Sequence, residues 1–226
     1  MKIIDKLPEA YRKGVADFYG RDFKVNSGVL IPRPETEMAI DEVLLLMGRP
    51  YLSGMKAPKR ELPKRPVIVD VGTGSGCIAI TLKLELPETE VVGLDISNRA
   101  LNVARENAST LGADVDFMCS DLLESYAGPA PDVIVANLPY VNEKWEWLDK
   151  EALGYEPSLA LYADNRGLKL IFELTHEVAS EEKYHQTWLL LEADPCQHEE
   201  IIKYAVELGL QHQKTSGFWL VFRKDD

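Results

Sequence analysis

No hydrophobic run in this chain approaches the ~20 residues a membrane helix requires, and Met1-Lys2-Ile3-Ile4-Asp5 lacks the apolar core of a signal peptide. Cysteine is scarce. Cys77, Cys119 and Cys196 are odd in number, far apart and never in a CxxC pair, which argues against a disulfide framework or a zinc site. His176, His185, His198 and His212 show no metal-ligand spacing, so no metal is expected. These absences point to a reducing, cytoplasmic setting. Positive charge is also in deficit, with 25 Lys+Arg against 37 Asp+Glu and a net charge of −12. Bare DNA or RNA demands clustered Lys and Arg, so stable nucleic-acid binding is not expected. The exception is residues 49–65, where Arg49, Lys56, Lys59, Arg60, Lys64 and Arg65 stand against Glu61 alone. The acidic remainder either suits a basic protein partner or keeps the chain soluble.

What is present fits one α/β domain with a large core in 226 residues. A short helix is expected over 8–18, then strands at Asp22–Val25 and Val29–Ile31 around Asn26-Ser27-Gly28. Pro34-Glu35 opens a helix that stops near Gly48-Arg49-Pro50. Residues 50–66, with four prolines, read as a connector. Strands near 67–71, 90–94, 115–118, 132–137 and 187–192 then alternate with helices near 75–85, 98–110, 166–182 and 196–208. That alternation implies a Rossmann-like, mostly parallel sheet covered on both faces. The chain closes with a hairpin, Leu210–Lys214 and Phe218–Arg223, so the last strand runs antiparallel. A dinucleotide fold would continue with crossovers. A seven-stranded sheet with an antiparallel C-terminal strand is the class I arrangement of methyltransferases dependent on S-adenosylmethionine (SAM).

Two motifs follow apolar strands. After Val67–Val71 comes Gly72-Thr73-Gly74-Ser75-Gly76, whose glycines let backbone approach a ligand where a Cβ would collide. A dinucleotide fingerprint needs glycine at position 77, which is Cys77; this spacing suits SAM, which has no pyrophosphate to seat. Asp95 ends the next strand and can accept from both hydroxyls of a ribose. Asp121 can accept from an adenine amino group, with Leu122 packing on the ring. Either acid alone also reads as a helix cap or turn residue. Asn137-Leu138-Pro139-Tyr140 follows the fourth strand. The Asn137 side-chain oxygen and the Leu138 carbonyl can both accept from a substrate NH₂, Pro139 holds Leu138 extended, and Tyr140 can cover a planar acceptor. Together the motifs imply transfer of a methyl group to an amide or amino nitrogen, helped mainly by positioning.

At these residues the chain resembles the release-factor glutamine methyltransferases, the HemK/PrmC family. The resemblance runs from about residue 17 to the end. Its most specific stretch is Gly28-Val29-Leu30-Ile31-Pro32-Arg33-Pro34-Glu35-Thr36-Glu37; Tyr155-Glu156-Pro157 and Glu192 also match. It implies a SAM-dependent enzyme that methylates the side-chain amide of the glutamine in the Gly-Gly-Gln motif of peptide-chain release factors. Gly72 to Gly76, Asp95, Leu122 and Asn137 would hold the cofactor, and Asn137 to Tyr140 the substrate. The family usually reads Asn-Pro-Pro-Tyr, so Leu138 is a departure. Asn-Leu-Pro-Tyr also occurs in enzymes resembling rRNA adenine dimethylases, which keeps adenine N6 of RNA or DNA as a rival acceptor. A non-catalytic SAM-binding module is a third reading. The family's helical release-factor-gripping domain has no counterpart in residues 1–27, which are expected to be a helix-and-hairpin remnant ahead of a methyltransferase domain over 28–226. Trp145 and Trp147 form a lid or pin a long loop, and Arg33 meets ligand or joins strand to helix. Cys77 and Cys119 are expected in the core.

Overall fold

The computed structural model describes residues 7–49 and 64–225. Its N-terminal part corrects the sequence reading. Helix α1 covers only Glu9–Lys13 and ends at Gly14, whose φ of 72° is left-handed. Val15–Phe18 (β1) and Arg21–Lys24 (β2) then pair antiparallel around Tyr19-Gly20. Phe18 and Phe23 are fully buried and meet edge to face, so hydrophobic burial of this hairpin overrides the local helical pattern. Residues 29–31 form no strand. A 3₁₀ turn, Pro34–Thr36, leads into α2 (Glu37–Leu46), close to the helix expected from Pro34. Residues 50–63 of the expected connector, with Lys56, Lys59 and Arg60, lie outside the described residues.

The remaining strands are β3 (Val67–Val71), β4 (Glu90–Asp95), β5 (Asp116–Cys119), β6 (Val133–Ala136), β7 (Trp188–Glu192), β8 (Gln211–Ser216) and β9 (Trp219–Arg223). Between them run α3 (Cys77–Glu85), α4 (Asn98–Leu111), the short α5 (Lys150–Leu153) and α6 (Ser158–Leu161), α7 (Lys169–Ser180) and α8 (His198–Glu207). Local chemistry sets several ends. The Ser97 hydroxyl accepts from Ala100 N at the start of α4, and Gly112 ends it in the left-handed region. Asp194 and Gln197 form a reciprocal capping box ahead of α8.

Seven strands order as β5-β4-β3-β6-β7-β9-β8, and β9 alone runs opposite to the other six. Successive residues point to opposite faces. Val69, Val71, Leu94, Ile134 and Leu189 pack with Ile171, Leu174 and Ile201 of α7 and α8. Ile68, Val91, Val133, Val135 and Leu190 pack with Ile40, Val43 and Ile80 of α2 and α3, and with the β1–β2 phenylalanines. Burial on both faces explains why β6 reads as an unbroken apolar run and β3 as one interrupted only by Asp70. Cys77 joins this core, but Cys119 is exposed at the end of the edge strand β5, against expectation. Strand order reverses between β3 and β6, which opens a crevice at their carboxyl ends. The glycine loop and Asn137 both fall there.

Candidate active site

The loop after β3 is held from below by Asp70. One carboxylate oxygen accepts from the Thr73 hydroxyl at 2.6 Å and from Ala79 N at 3.2 Å; the other meets no donor among the described residues. Burial pushes this carboxyl up to about 7, against the pull of the Thr73 and Ala79 bonds. Gly72 N and Thr73 N both donate to Leu94 O at 2.8 Å, fastening the loop to β4. Asn107 of α4 joins three elements: its amide donates to Ser75 O and Lys24 O, and its oxygen accepts from Lys24 N. Sequence patterning did not single out Asn107, because its partners lie 32 and 83 residues away.

Two glycines of the loop have separate duties. Gly72 sits at φ +76°, and a Cβ there would stand 3.1 Å from Leu138 Cδ2 and 3.6 Å from Asn137 O. Its bare backbone lets the residue 137–138 turn close over the loop. Gly76, at φ +81°, abuts Ile80 Cδ1 and Ala104, with a Cβ 2.8 Å and 3.1 Å away. It serves the packing of α3 against α4 and does not border the cavity above the loop.

That cavity, of about 430 Å³, is lined by Gly72, Thr73, Gly74, Ser75, Asp95, Asp121, Leu122, Asn137, Leu138 and Pro139, among others. Asp95 accepts from Gly74 N at 2.9 Å and Ser97 N at 2.8 Å. Burial raises its pKa and these two bonds oppose the rise. A carboxylate has about four acceptor sites, so two remain for hydroxyls. Leu122 is held at φ 43°, in the left-handed region a branched side chain seldom adopts, with its side chain buried at the cavity. Ile96, half exposed, lies on the same rim. Backbone cradle, diol acceptor and apolar slot fit a nucleoside-bearing cofactor, and the residues that would hold it are Gly72 to Ser75, Asp95, Asp121 and Leu122.

A second cavity, of about 180 Å³, adjoins the first, and Asn137 and Leu138 border both spaces together with Leu30, Arg33 and Ala160. Tyr140 borders only the second, with Trp145, Trp147, Glu35 and Glu192. The two tryptophans stack at 5.2 Å, Trp147 remaining largely exposed. Asn137 Nδ2 donates to Thr36 Oγ1 at 3.1 Å, leaving its oxygen for other donors. The Leu138 side chain is buried in the core that contains Leu122 and Leu168, and no donor among the described residues reaches its carbonyl. The Tyr140 hydroxyl donates to Glu192 Oε1 at 3.1 Å, which together with burial raises its pKa. Gln197 Nε2 donates to Tyr140 O at 2.9 Å and fixes the far end of the motif.

The Gly28–Thr36 segment crosses beside both cavities. Arg33 forms an ion pair with buried Glu156, whose other oxygen accepts from Ile31 N at 3.0 Å. Arg33 also lines both cavities, so connector and site roles coincide. Thr36 and Glu192, both nearly fully buried, hydrogen-bond at 2.7 Å. Among the described residues no group of His, Cys, Asp or Glu could hold a metal, and no helix is long and apolar enough to cross a membrane.

Strand order, the antiparallel β9 and a ligand-sized crevice after β3 define a class I methyltransferase fold. The structure of a methyltransferase from Pyrococcus furiosus shares it, with a TM-score of 0.62 at 15% identity over 92% of this chain and 91% of that one. Residues 54–150 match the model of the methyltransferase small domain family. A release factor glutamine methyltransferase of Koribacter versatilis is 43% identical over 195 residues, 83% of this chain and 65% of that protein. One from Enterococcus faecalis is 39% identical over 178 residues, 78% of this chain and 59% of that protein. Along most of its own length the chain is similar to these release factor glutamine methyltransferases, and it spans less than two thirds of theirs.

Proposed function

We propose that this chain binds SAM in the larger cavity and methylates the side-chain amide nitrogen of the glutamine in the Gly-Gly-Gln motif of a peptide-chain release factor. One observation carries the reading: Asn137 and Leu138 border both cavities, the Asn137 bond to Thr36 uses its NH₂ and leaves its oxygen, and no donor among the described residues reaches the Leu138 carbonyl. When bound, SAM supplies a methyl carbon on a positively charged sulfur, which leaves as a neutral thioether. The chain's residues do the rest. Asn137 Oδ1 and Leu138 O accept the two N–H bonds of the incoming amide and aim its nitrogen at the larger cavity. As the new N–C bond forms, the nitrogen becomes acidic and one proton passes to solvent, so no strong base is required. Positioning of this kind can account for several kcal/mol of the barrier.

Similarity to release factor glutamine methyltransferases and the net charge of −12 favour a protein acceptor over RNA or DNA. Three free cysteines suit a cytoplasmic setting. In this reading the described residues 7–27, a short helix and a hairpin, lead into the methyltransferase domain expected over 28–226. The test is transfer of isotope-labelled methyl from SAM to a panel of release factor, ribosomal protein, RNA and DNA, with the product sequenced. Label on the Gly-Gly-Gln glutamine supports the reading. Label on adenine instead, or SAM binding with no transfer to any acceptor, overturns it.

A further inference from the structure

We propose that Thr36 and Glu192 are a positioning pair that sets which way round the Asn137 amide sits, presenting its oxygen and not its NH₂ to the acceptor. The proposal rests on the functional reading above and adds what controls its geometry.

A hydroxyl carries a single proton. Thr36 Oγ1 lies 2.7 Å from Glu192 Oε2 and 3.1 Å from Asn137 Nδ2. An ionised carboxylate can only accept, so the Thr36 proton points to Glu192. Thr36 then offers Asn137 lone pairs alone, which only the NH₂ end of the amide can satisfy. The oxygen end is thereby turned away from Thr36. Glu192 Oε1 is filled by the Tyr140 hydroxyl, so one carboxylate holds both ends of the 137–140 motif. Thr36 and Glu192 are 2% and 1% exposed, which leaves water little access to break the chain of bonds.

Protonation of Glu192 reverses the relay. A carboxylic acid can donate to Thr36, whose own proton is then free to point at Asn137. The amide is stabilised with its oxygen inward, and its NH₂ would oppose the NH₂ of the acceptor. Groups around Glu192 place this switch within reach. Burial pushes the carboxyl up to about 7, the Thr36 and Tyr140 bonds pull it down, Glu35 raises it and Arg33 lowers it. Cys77 faces it from the start of α3, and Asp194 lies just past the end of its own strand. Trp219, its partner on β9, brings no charge.

The experiment follows the Asn137 side-chain NH₂ resonances of ¹⁵N-labelled protein against pH, beside pH profiles of kcat, in wild type, Thr36→Ser, Thr36→Val and Glu192→Gln. In wild type the resonances and kcat should titrate together near pH 7, with kcat falling about tenfold per pH unit below it. Thr36→Ser should keep both behaviours. Thr36→Val should lower kcat at least about tenfold and uncouple the Asn137 resonances from pH, since the relay atom is gone. Glu192→Gln should abolish the acid limb, which also separates Glu192 from Asp70. A Thr36→Val protein whose resonances still titrate, or a Glu192→Gln protein that keeps the acid limb, overturns the proposal. If Thr36→Val does not fold, the Ser and Gln variants decide it. If wild type transfers no methyl group, the functional reading fails while the resonances still judge the relay.

Discussion

Replacing Asp95 tests the cofactor cavity most sharply among single substitutions. Its carboxylate is one of the few charged groups on the wall, and it already fastens Gly74 N and Ser97 N. Asp95→Ala removes those anchors and the two acceptor sites left for a ribose diol. A hydrogen bond to a charged group is worth about 1.5–3 kcal/mol. Solvent replaces part of the loss, leaving about 2–3 kcal/mol, or roughly 30- to 150-fold in Kd. Asp95→Asn should do almost as badly, because its NH₂ must face either the Gly74 or the Ser97 N–H, donor against donor. Isothermal calorimetry with SAM reads the effect directly, with circular dichroism confirming the fold. A Kd within about threefold of wild type for both folded variants would refute the assignment of Asp95 to the cofactor.

Gly76→Ala forces a Cβ to within 2.8 Å of Ile80 Cδ1 and 3.1 Å of Ala104 at positive φ; we expect a loss of about 2 kcal/mol, seen as a melting point lower by roughly 4–8 °C. Asp70 and Glu192 hold their protons in the folded chain up to about 7, whereas their ordinary values are 3.8 and 4.5. Their contribution to stability is therefore full below those ordinary values and lost as pH rises through about 7. Urea midpoints should fall between pH 5 and pH 8 in wild type and fall less in Glu192→Gln; an equal fall would show that Glu192 does not titrate there. Glu156→Ala frees Arg33 and Ile31 N, so hydrogen exchange at the Ile31 amide should quicken roughly tenfold, and an unchanged rate would mean that other contacts hold the segment.

The sheet was legible because β3 and β6 are buried on both faces and read as apolar runs, interrupted only by Asp70 in β3 and bounded by glycine, proline or polar residues. The closing hairpin was legible for the same reason: β9 is apolar almost throughout, beside the polar, alternating β8. The second strand of the β1–β2 hairpin was legible at 22–25, but β1 was missed, read as the end of a helix, because it is short and gains stability from Phe18 entering a distant core, which local pattern cannot report. The glycine loop, Asp95, Asp121 and Asn137 were each visible at strand ends, and the topology gathers them round one cavity. Thr36 was read only as part of a matching stretch. Its partners at 137 and 192 lie 101 and 156 residues on, so no spacing connects them. Gly76 looked like its loop neighbours, yet its work is helix packing. Only the crossing of α3 and α4 shows that.

The central claim is that Asn137 orients an amide nitrogen for methylation, and single-turnover methyl transfer to a release factor tests it most directly. Wild type should add one methyl group to the Gly-Gly-Gln glutamine, and Asn137→Ala should slow that step about a hundredfold while SAM binds nearly as before. Transfer by Asn137→Ala at the wild-type rate, or methylation at any other residue of the release factor, would contradict the account.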